Sequence, residues 1–337
     1  MKKRIVLPVM MLLCLTVLQA APRTFTVRDG RLTDASGRPF VIRGINNPHV
    51  WFEEKAFRAL DDICATGANT VRIVWETRGA VENLERVIRR CIALRMVPMV
   101  ELHDVTGSPS AERLADMARW YAGPAVAAVL QRYEKYLLLN IANEWGNHTV
   151  RTEQWLEGYK AAVGILRDAG YRTTLVVDAP GYGQNLTPVL EGGQDLLADD
   201  PLHNLLFSVH MYGSWNDAEK MASQLAEAVR RNLPLIVGEF GYNFRDGRNN
   251  LGCRVDLSAI LDNCNRLGLG FMPWSWTGNN AENAWLDLVE SRDWKTPTSW
   301  GEAVLLGPGG IAQTARPAHV FGRESGRRKR EKTQKSQ

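Results

Sequence analysis

The stretch "LLLNIANEWGNHTVRTEQWLEGYKAAVGILRDAGYRTTLVVDA" (residues 137–179) contains the whole pattern from which the chain is built. It opens on a run of Leu and Ile without strict alternation, as expected of a strand covered on both faces. A polar loop follows. "TEQWLEGYKAAVGILRDAG" (152–170) then has apolar residues at helical spacing and stops at a glycine. "TTLVVDA" (173–179) begins the next strand. At the tip of the first strand stand an amide, a carboxylate and an indole: Asn143, Glu144 and Trp145.

The same unit recurs in both directions. Strands are expected at "FVIRGIN" (40–46), "NTVRIVW" (69–75), "MVPMVELHD" (96–104) and "LLLNIANEW" (137–145), and then at "TTLVVDA", "LLFSVHMYG" (205–213), "LPLIVGEFG" (233–241) and "LGFMPWSW" (269–276). Further helices are expected at "EEKAFRALDDICATG", "AVENLERVIRRCIALRM", "DAEKMASQLAEAVRRN" and "RVDLSAILDNCNRLG". Eight strand-helix units in succession argue for an α/β fold, a single (β/α)8 TIM barrel, with a doubly wound open sheet as the alternative. "TFTVRDGRLTDASGRPF" reads as a short N-terminal β-hairpin. No composition break marks a second folded domain, so 21–307 is read as one barrel. Residues 308–337, which lose periodicity, are read as a disordered basic tail.

The first residues, "MKKRIVLPVMMLLCLTVLQAAP", have a basic start, an apolar run and small residues at the end, the form of a signal peptide cleaved after Ala20. The apolar run is short for a membrane anchor, and Leu13 before Cys14 is bulky for a lipoprotein site. A secreted or periplasmic protein is expected. The overall net charge is +4, but the first residues carry +3 and the tail "GRESGRRKREKTQKSQ" +5, which leaves the body at −4. A mildly acidic body gives no reason to expect a nucleic-acid partner. Past the signal, Cys64, Cys91, Cys253 and Cys264 permit disulfides in an exported chain, whereas no C-x-x-C pair exists to hold zinc.

In a barrel, chemistry gathers at the C-terminal ends of the strands. Those ends carry Arg72 and Trp75, His103 and Asp104, Asn143, Glu144 and Trp145, His210 and Tyr212, Glu239, and Trp274 and Trp276. The loop after the first strand adds His49 and Trp51. Glu144 and Glu239 end the fourth and seventh strands, which lie across the mouth from one another. Carboxyls about 5 Å apart suit retaining glycoside hydrolysis, one protonating the leaving oxygen and the other attacking the anomeric carbon. A partly apolar setting beside Trp145 would keep the acid protonated, and Arg72 and Tyr212 would keep the nucleophile ionised. Asn143 could hold the hydroxyl next to the reacting carbon.

Six of the eleven tryptophans, Trp51, Trp75, Trp145, Trp215, Trp274 and Trp276, lie at or just beyond strand ends. Indoles there suit the C–H faces of sugar rings, although any one of them could equally fill core. No dinucleotide loop, P-loop, G-x-S-x-G elbow or H-E-x-x-H is present. A metallohydrolase reading would need His103, Asp104 and His210 as ligands, yet no H-x-H pair sits on a strand. No cofactor and no metal are expected.

"NIANEWGN" with "PLIVGEFG" resembles the paired glutamates of glycoside hydrolase family 5. "GINNPHVWF", "GANTVRIVW", "VELHDVTG", "VVDAPGYGQN", "SVHMYGSW" and "MPWSWTGNN…WLDLV" look like its secreted bacterial endo-β-1,4-mannanase branch. The resemblance implies Glu144 as general acid/base and Glu239 as nucleophile, with Arg72, His103, Asn143, His210, Tyr212 and Trp274 at the family's active-site positions. His49, Trp51, Asp104 and Trp276 fall in branch motifs and are expected, with Trp145, to line a sugar cleft. One departure is Asn143-Glu144-Trp145 where many relatives have Asn-Glu-Pro. The implied function is endo-acting hydrolysis of β-mannan by a monomer without a cofactor. A β-1,4-glucanase on the same scaffold and a catalytically silent polysaccharide-binding barrel are the alternatives.

Overall fold

A computed structural model describes residues 24–322. The proposed signal peptide and the basic run after Gly322 lie outside them. A two-stranded antiparallel hairpin, β1 (Thr26–Arg28) and β2 (Arg31–Thr33), comes first. Eight parallel strands follow: β3 (Gly44–Asn47), β4 (Thr70–Trp75), β5 (Val97–Leu102), β6 (Leu138–Asn140), β7 (Leu175–Asp178), β8 (Leu205–Met211), β9 (Leu235–Phe240) and β10 (Gly270–Phe271). They pair strictly in chain order. The ring closes where Arg43 and Phe271 form a parallel bridge and the Phe271 N–H donates to Ile42 O at 3.1 Å. Closure selects the barrel over the open sheet.

Between the strands run α1 (Glu53–Ala65), α2 (Val81–Ala93), α3 (Ala111–Ala122), α4 (Pro124–Arg132), α5 (Thr152–Asp168), α6 (Thr187–Asp199), α7 (Ala218–Arg230) and α8 (Leu257–Leu267). No helix is expected from the sequence over 111–132 or 187–199. In the first segment Gly123 and Pro124 break one amphipathic pattern into two helices, proline taking the first helical position of α4. In the second, the pair Gly192-Gly193 dilutes the apolar face of α6.

Because side chains alternate along a strand, the barrel has two separate apolar cores. Val100, Leu139, Val177, Phe207 and Val237 face outward and pack under the helices. Val97, Met99, Leu138, Val176, Leu206 and Ile236 face inward and, with Phe25 and Phe40 of the hairpin segment, fill the lower interior. The hairpin thus plugs the bottom of the barrel. Continuing each inward series upward gives Asn46, Arg72, Glu101, Asn140, Asp178 and His210, all buried. The barrel changes from apolar to ionic within one layer.

Residues 308–322, expected to belong to a disordered tail, are instead packed against the barrel. Arg43 Nε donates to Thr314 Oγ1 at 2.9 Å, Asn69 Nδ2 to Arg316 O at 2.9 Å, and the Val320 N–H to Asp34 Oδ2 at 2.7 Å. Ile311 is fully buried. Too few apolar residues occur here to give a periodic signal. The order comes from buried polar side chains elsewhere in the chain that meet this backbone. The four cysteines among the described residues are free thiols, three buried and Cys64 half-buried.

Candidate active site

Arg72 organises the floor of the site from β4. Its five N–H groups are all used: Nη1 to Glu239 Oε1 (2.8 Å) and Asn46 Oδ1 (3.0 Å), Nη2 to Asn140 Oδ1 (2.7 Å) and Asn143 Oδ1 (2.7 Å), and Nε to Asn140 Oδ1 (3.0 Å). Burial works against its charge, but Glu101, Glu239 and Asp178 around it raise its pKa overall. It is a permanently charged hub beneath two carboxyl groups.

Glu239 reaches this hub because of an irregularity in the sheet. Val209 of β8 pairs with Val237, but His210 pairs with Glu239, so β9 carries one extra residue, Gly238. The bulge reverses which side chains point inward. Without it Glu239 would face the helices. Glu239 Oε1 accepts from Arg72 and Oε2 from the Tyr212 hydroxyl at 2.9 Å. Burial pushes its carboxyl pKa up and the charge of Glu144 adds to this, while His210, Arg72 and His103 oppose it. Burial and the two carboxylates push the Tyr212 phenol well above its usual value, so it remains a donor.

Glu144 is placed by the turn that ends the fourth barrel strand. Its φ is +47°, in the left-handed region that costs a non-glycine residue about 1–3 kcal/mol. Its N–H donates to Asp178 Oδ2 at 3.0 Å and its carbonyl accepts from the Gly107 N–H at 2.9 Å. The turn sends Asn143 and Glu144 toward the cleft and Trp145 away from it. Glu144 Oε1 accepts from His210 Nδ1 at 2.7 Å. Burial disfavours the imidazolium, yet Glu239, Asp178 and Glu144 raise the His210 pKa to about 9. His103, paired through Nδ1 to Glu101 Oε1 at 3.0 Å, is likewise raised: burial opposes its charge, but Glu101 and Glu239 together outweigh it.

Ligand atoms of Glu144, His210 and Glu239 all lie within 4.8 Å of one another, so the two carboxyls are close enough to act on one bond as an acid and a nucleophile. The same cluster could hold a cation by spacing alone, but Arg72 and a protonated His210 already supply positive charge there. The carboxyls open into a cleft of about 520 Å3, lined also by His103, Asn143, Tyr212, Trp274, Tyr182, His148, Gln184 and Trp285. Trp274 stacks on His103 with ring centres 5.7 Å apart. Beyond it an adjoining hollow of about 370 Å3 is bordered by Trp51, Phe52 and Asn279.

Four residues expected to line the cleft do not. Trp145 is fully buried; its Nε1 donates to Ser110 O, and its ring packs edge-on against Tyr159. Trp276 is buried with Nε1 donating to Trp294 O, which ties the last barrel strand to the loop beyond it. His49 accepts from Asn47 Nδ2 at 3.0 Å, and burial lowers its pKa to about 3, so it is a neutral core histidine. Asp104 accepts from the Thr77 N–H and hydroxyl and holds the loop after β4. Trp75 and Trp215 are also core residues. Conversely, Trp285, Tyr182, Gln184 and the ionic layer of Glu101, Asn140 and Asp178 escape the sequence reading. A glutamate, an asparagine and an aspartate inside otherwise apolar strands were the available signal for that layer.

A family model described as cellulase (glycosyl hydrolase family 5) matches residues 33–280. A mannan endo-1,4-beta-mannosidase of Salipaludibacillus agaradhaerens is 36% identical over 309 residues, 90% of this chain and 97% of that protein. The beta-mannanase of Thermomonospora fusca superposes with a TM-score of 0.82 at 37% identity, over 89% of this chain and 99% of that one. Its mannohexaose complex superposes with a TM-score of 0.80 at 36% identity, over the same shares. With the paired carboxyls on a closed parallel barrel and a match over most of its length, the chain belongs to glycosyl hydrolase family 5.

Proposed function

We propose that the protein is a retaining endo-β-1,4-mannanase, with Glu239 as nucleophile and Glu144 as general acid/base. The observation that carries this reading is the asymmetry of the pair. Glu239 is gripped by Arg72 and Tyr212, both donors, and sits deeper in the barrel. Hydrogen bonds from both donors favour its charged form against the burial that raises its pKa, which suits the group that must attack as a carboxylate. Glu144 stands at the cleft with His210 as its partner. It protonates the departing glycosidic oxygen as Glu239 bonds to the anomeric carbon, and then deprotonates the water that releases the sugar.

The remaining groups have parts to play around that exchange. Asn143, held by Arg72 through Oδ1 and donating one Nδ2 proton to Thr106 Oγ1 at 2.9 Å, is the amide that would meet the hydroxyl beside the reacting carbon. Trp274 offers a ring face to the bound sugar, and the His103 and Tyr212 polar groups meet its hydroxyls. An open cleft continuing past Trp274 toward Trp51 suits an internal segment of a polysaccharide rather than its end. The relatives named above act on mannan by name, which favours mannan over glucan as substrate. Export follows from the N-terminal sequence. Among the described residues no helix is long and apolar enough to cross a membrane. All groups invoked come from one chain, so a monomer suffices.

The test is to incubate the mature protein with linear β-1,4-mannan and, separately, with soluble β-1,4-glucan, following new reducing ends and viscosity. Rapid loss of viscosity on mannan is expected. Cleavage of glucan alone would replace the substrate assignment with a glucanase, and binding of either polymer without cleavage would replace it with a binding barrel.

A further inference from the structure

Asp178 closes β7, is fully buried beneath the cleft, and touches no point where substrate would lie. Its carboxylate nevertheless touches the proposed acid at the backbone and lies behind His210, the partner of that residue's carboxyl. Oδ2 accepts the Glu144 backbone N–H at 3.0 Å, in the turn where Glu144 has a φ of +47°. The same oxygen lies 3.6 Å from His210 Nε2, a buried atom with no hydrogen-bond partner of its own, and 3.6 Å from Arg72 Nη2. Oδ1 accepts from Asn140 Nδ2 at 3.1 Å.

His210 is the second arm of this grip. Its ring has little freedom: a Cβ at Gly183 would come within 2.6 Å of it, and one at Gly238 within 3.2 Å of Nε2. With Nε2 facing Asp178, Nδ1 is aimed at Glu144 Oε1, 2.7 Å away. We infer that Asp178 is a positioning residue for proton donation, holding the Glu144 backbone in its left-handed turn and, through His210, the place of its carboxyl. The inference rests on Glu144 being the proton donor. It also explains why a carboxylate stands here rather than an amide. Both oxygens accept from N–H donors, so an amide would turn its own NH2 against one of them.

The experiment compares kcat/KM of the wild type, Asp178→Ala, Asp178→Asn and Glu144→Ala on two aryl β-mannobiosides. One carries 2,4-dinitrophenol, which departs without a proton; the other carries phenol, which needs one. Loss of general acid catalysis costs about 10²–10⁴-fold and falls on the phenyl substrate. Both Asp178 variants are expected to lose at least about tenfold more on the phenyl than on the dinitrophenyl substrate, the signature of weakened proton donation. Equal losses on the two substrates, or none, would overturn the inference. Should Asp178→Ala fail to fold by circular dichroism, Asp178→Asn keeps the side-chain volume and decides alone. If Glu144→Ala shows the split and the Asp178 variants do not, only this inference falls. If Glu144→Ala shows no split, the assignment of the acid falls and this inference with it.

Discussion

Arg72, Glu239 and His210 bring three buried charges to one end of a barrel, and their mutual placement sets how the site responds to substitution and pH. Removing Glu239 leaves one N–H of Arg72 Nη1, whose other acceptor is Asn46, and the Tyr212 hydroxyl without an acceptor, and removes the proposed attacking atom. Glu239→Ala should therefore lose turnover on every substrate, including activated aryl glycosides. Added azide should restore turnover and give a glycosyl azide of inverted configuration, detectable by NMR; Glu144→Ala with azide should give the retained one. The same azide anomer from both variants would mean that the roles are wrongly divided. For His210 the sign is fixed by the direction of its shift. Its pKa rises from about 6.5 in the unfolded chain to about 9 in the fold. Its stabilising contribution is thus complete below about 6.5 and is lost as pH rises through about 9. The melting temperature of the wild type should fall more between pH 7 and 9.5 than that of His210→Asn. Parallel curves would refute the charge assignment. At this scale the sequence showed the groups that end the strands, because Glu144, Glu239, His210 and Tyr212 follow apolar runs. It did not show that Trp145 and Trp276 turn into the core, since an indole at a strand end reads the same whichever way the chain bends after it.

The bulge in β9 is the element on which the site depends. Gly238 supplies the extra residue, and a Cβ there would overlap Ser208 Oγ. Gly238→Ala should destabilise the protein by about 1–3 kcal/mol, the usual cost of overpacking, and reduce activity beyond what the remaining folded fraction explains, because Glu239 moves with the bulge. Adding Ser208→Ala removes the overlapping oxygen and should restore part of the stability, read by urea denaturation. No recovery in the double variant would show that the backbone, and not the hydroxyl, sets the penalty. The eight strands and five of the helices were legible from apolar runs and glycine stops. The bulge was not: "LIVGEFG" gives no sign of which glycine is inserted, because register is a property of two strands. The ionic layer was hidden for a related reason. Glu101, Asn140 and Asp178 become neighbours only when β5, β6 and β7 stand side by side.

The whole molecule is a barrel plugged below by its hairpin and strapped by its last described residues. A chain ending at Gly307 should melt well below one ending at Gly322, because it leaves Arg43, Asn69 and Asp34 without the partners they find at Thr314, Arg316 and Val320. Equal melting would mean that residues 308–322 add nothing to the fold. The four cysteines give a second reading of the same packing. Burial raises the Cys264 thiol to about 12 and pushes Cys91 up as well, while Cys64 is half-buried. In a chain lacking residues 1–20, an alkylating reagent should label Cys64 first, reach Cys91 and Cys264 only after denaturation, and find four thiols in all. Two or fewer would mean that the chain forms a disulfide the fold does not require. The central claim is that Glu239 and Glu144 work in two displacements at one anomeric carbon, and the configuration of the first product tests it most directly. Proton NMR of mannohexaose during the first minutes of hydrolysis should show the β-anomer of the new reducing end appearing first, with the α-anomer growing in by mutarotation. If the α-anomer appears first, a single displacement by water is at work and the assignment of Glu239 as nucleophile is wrong.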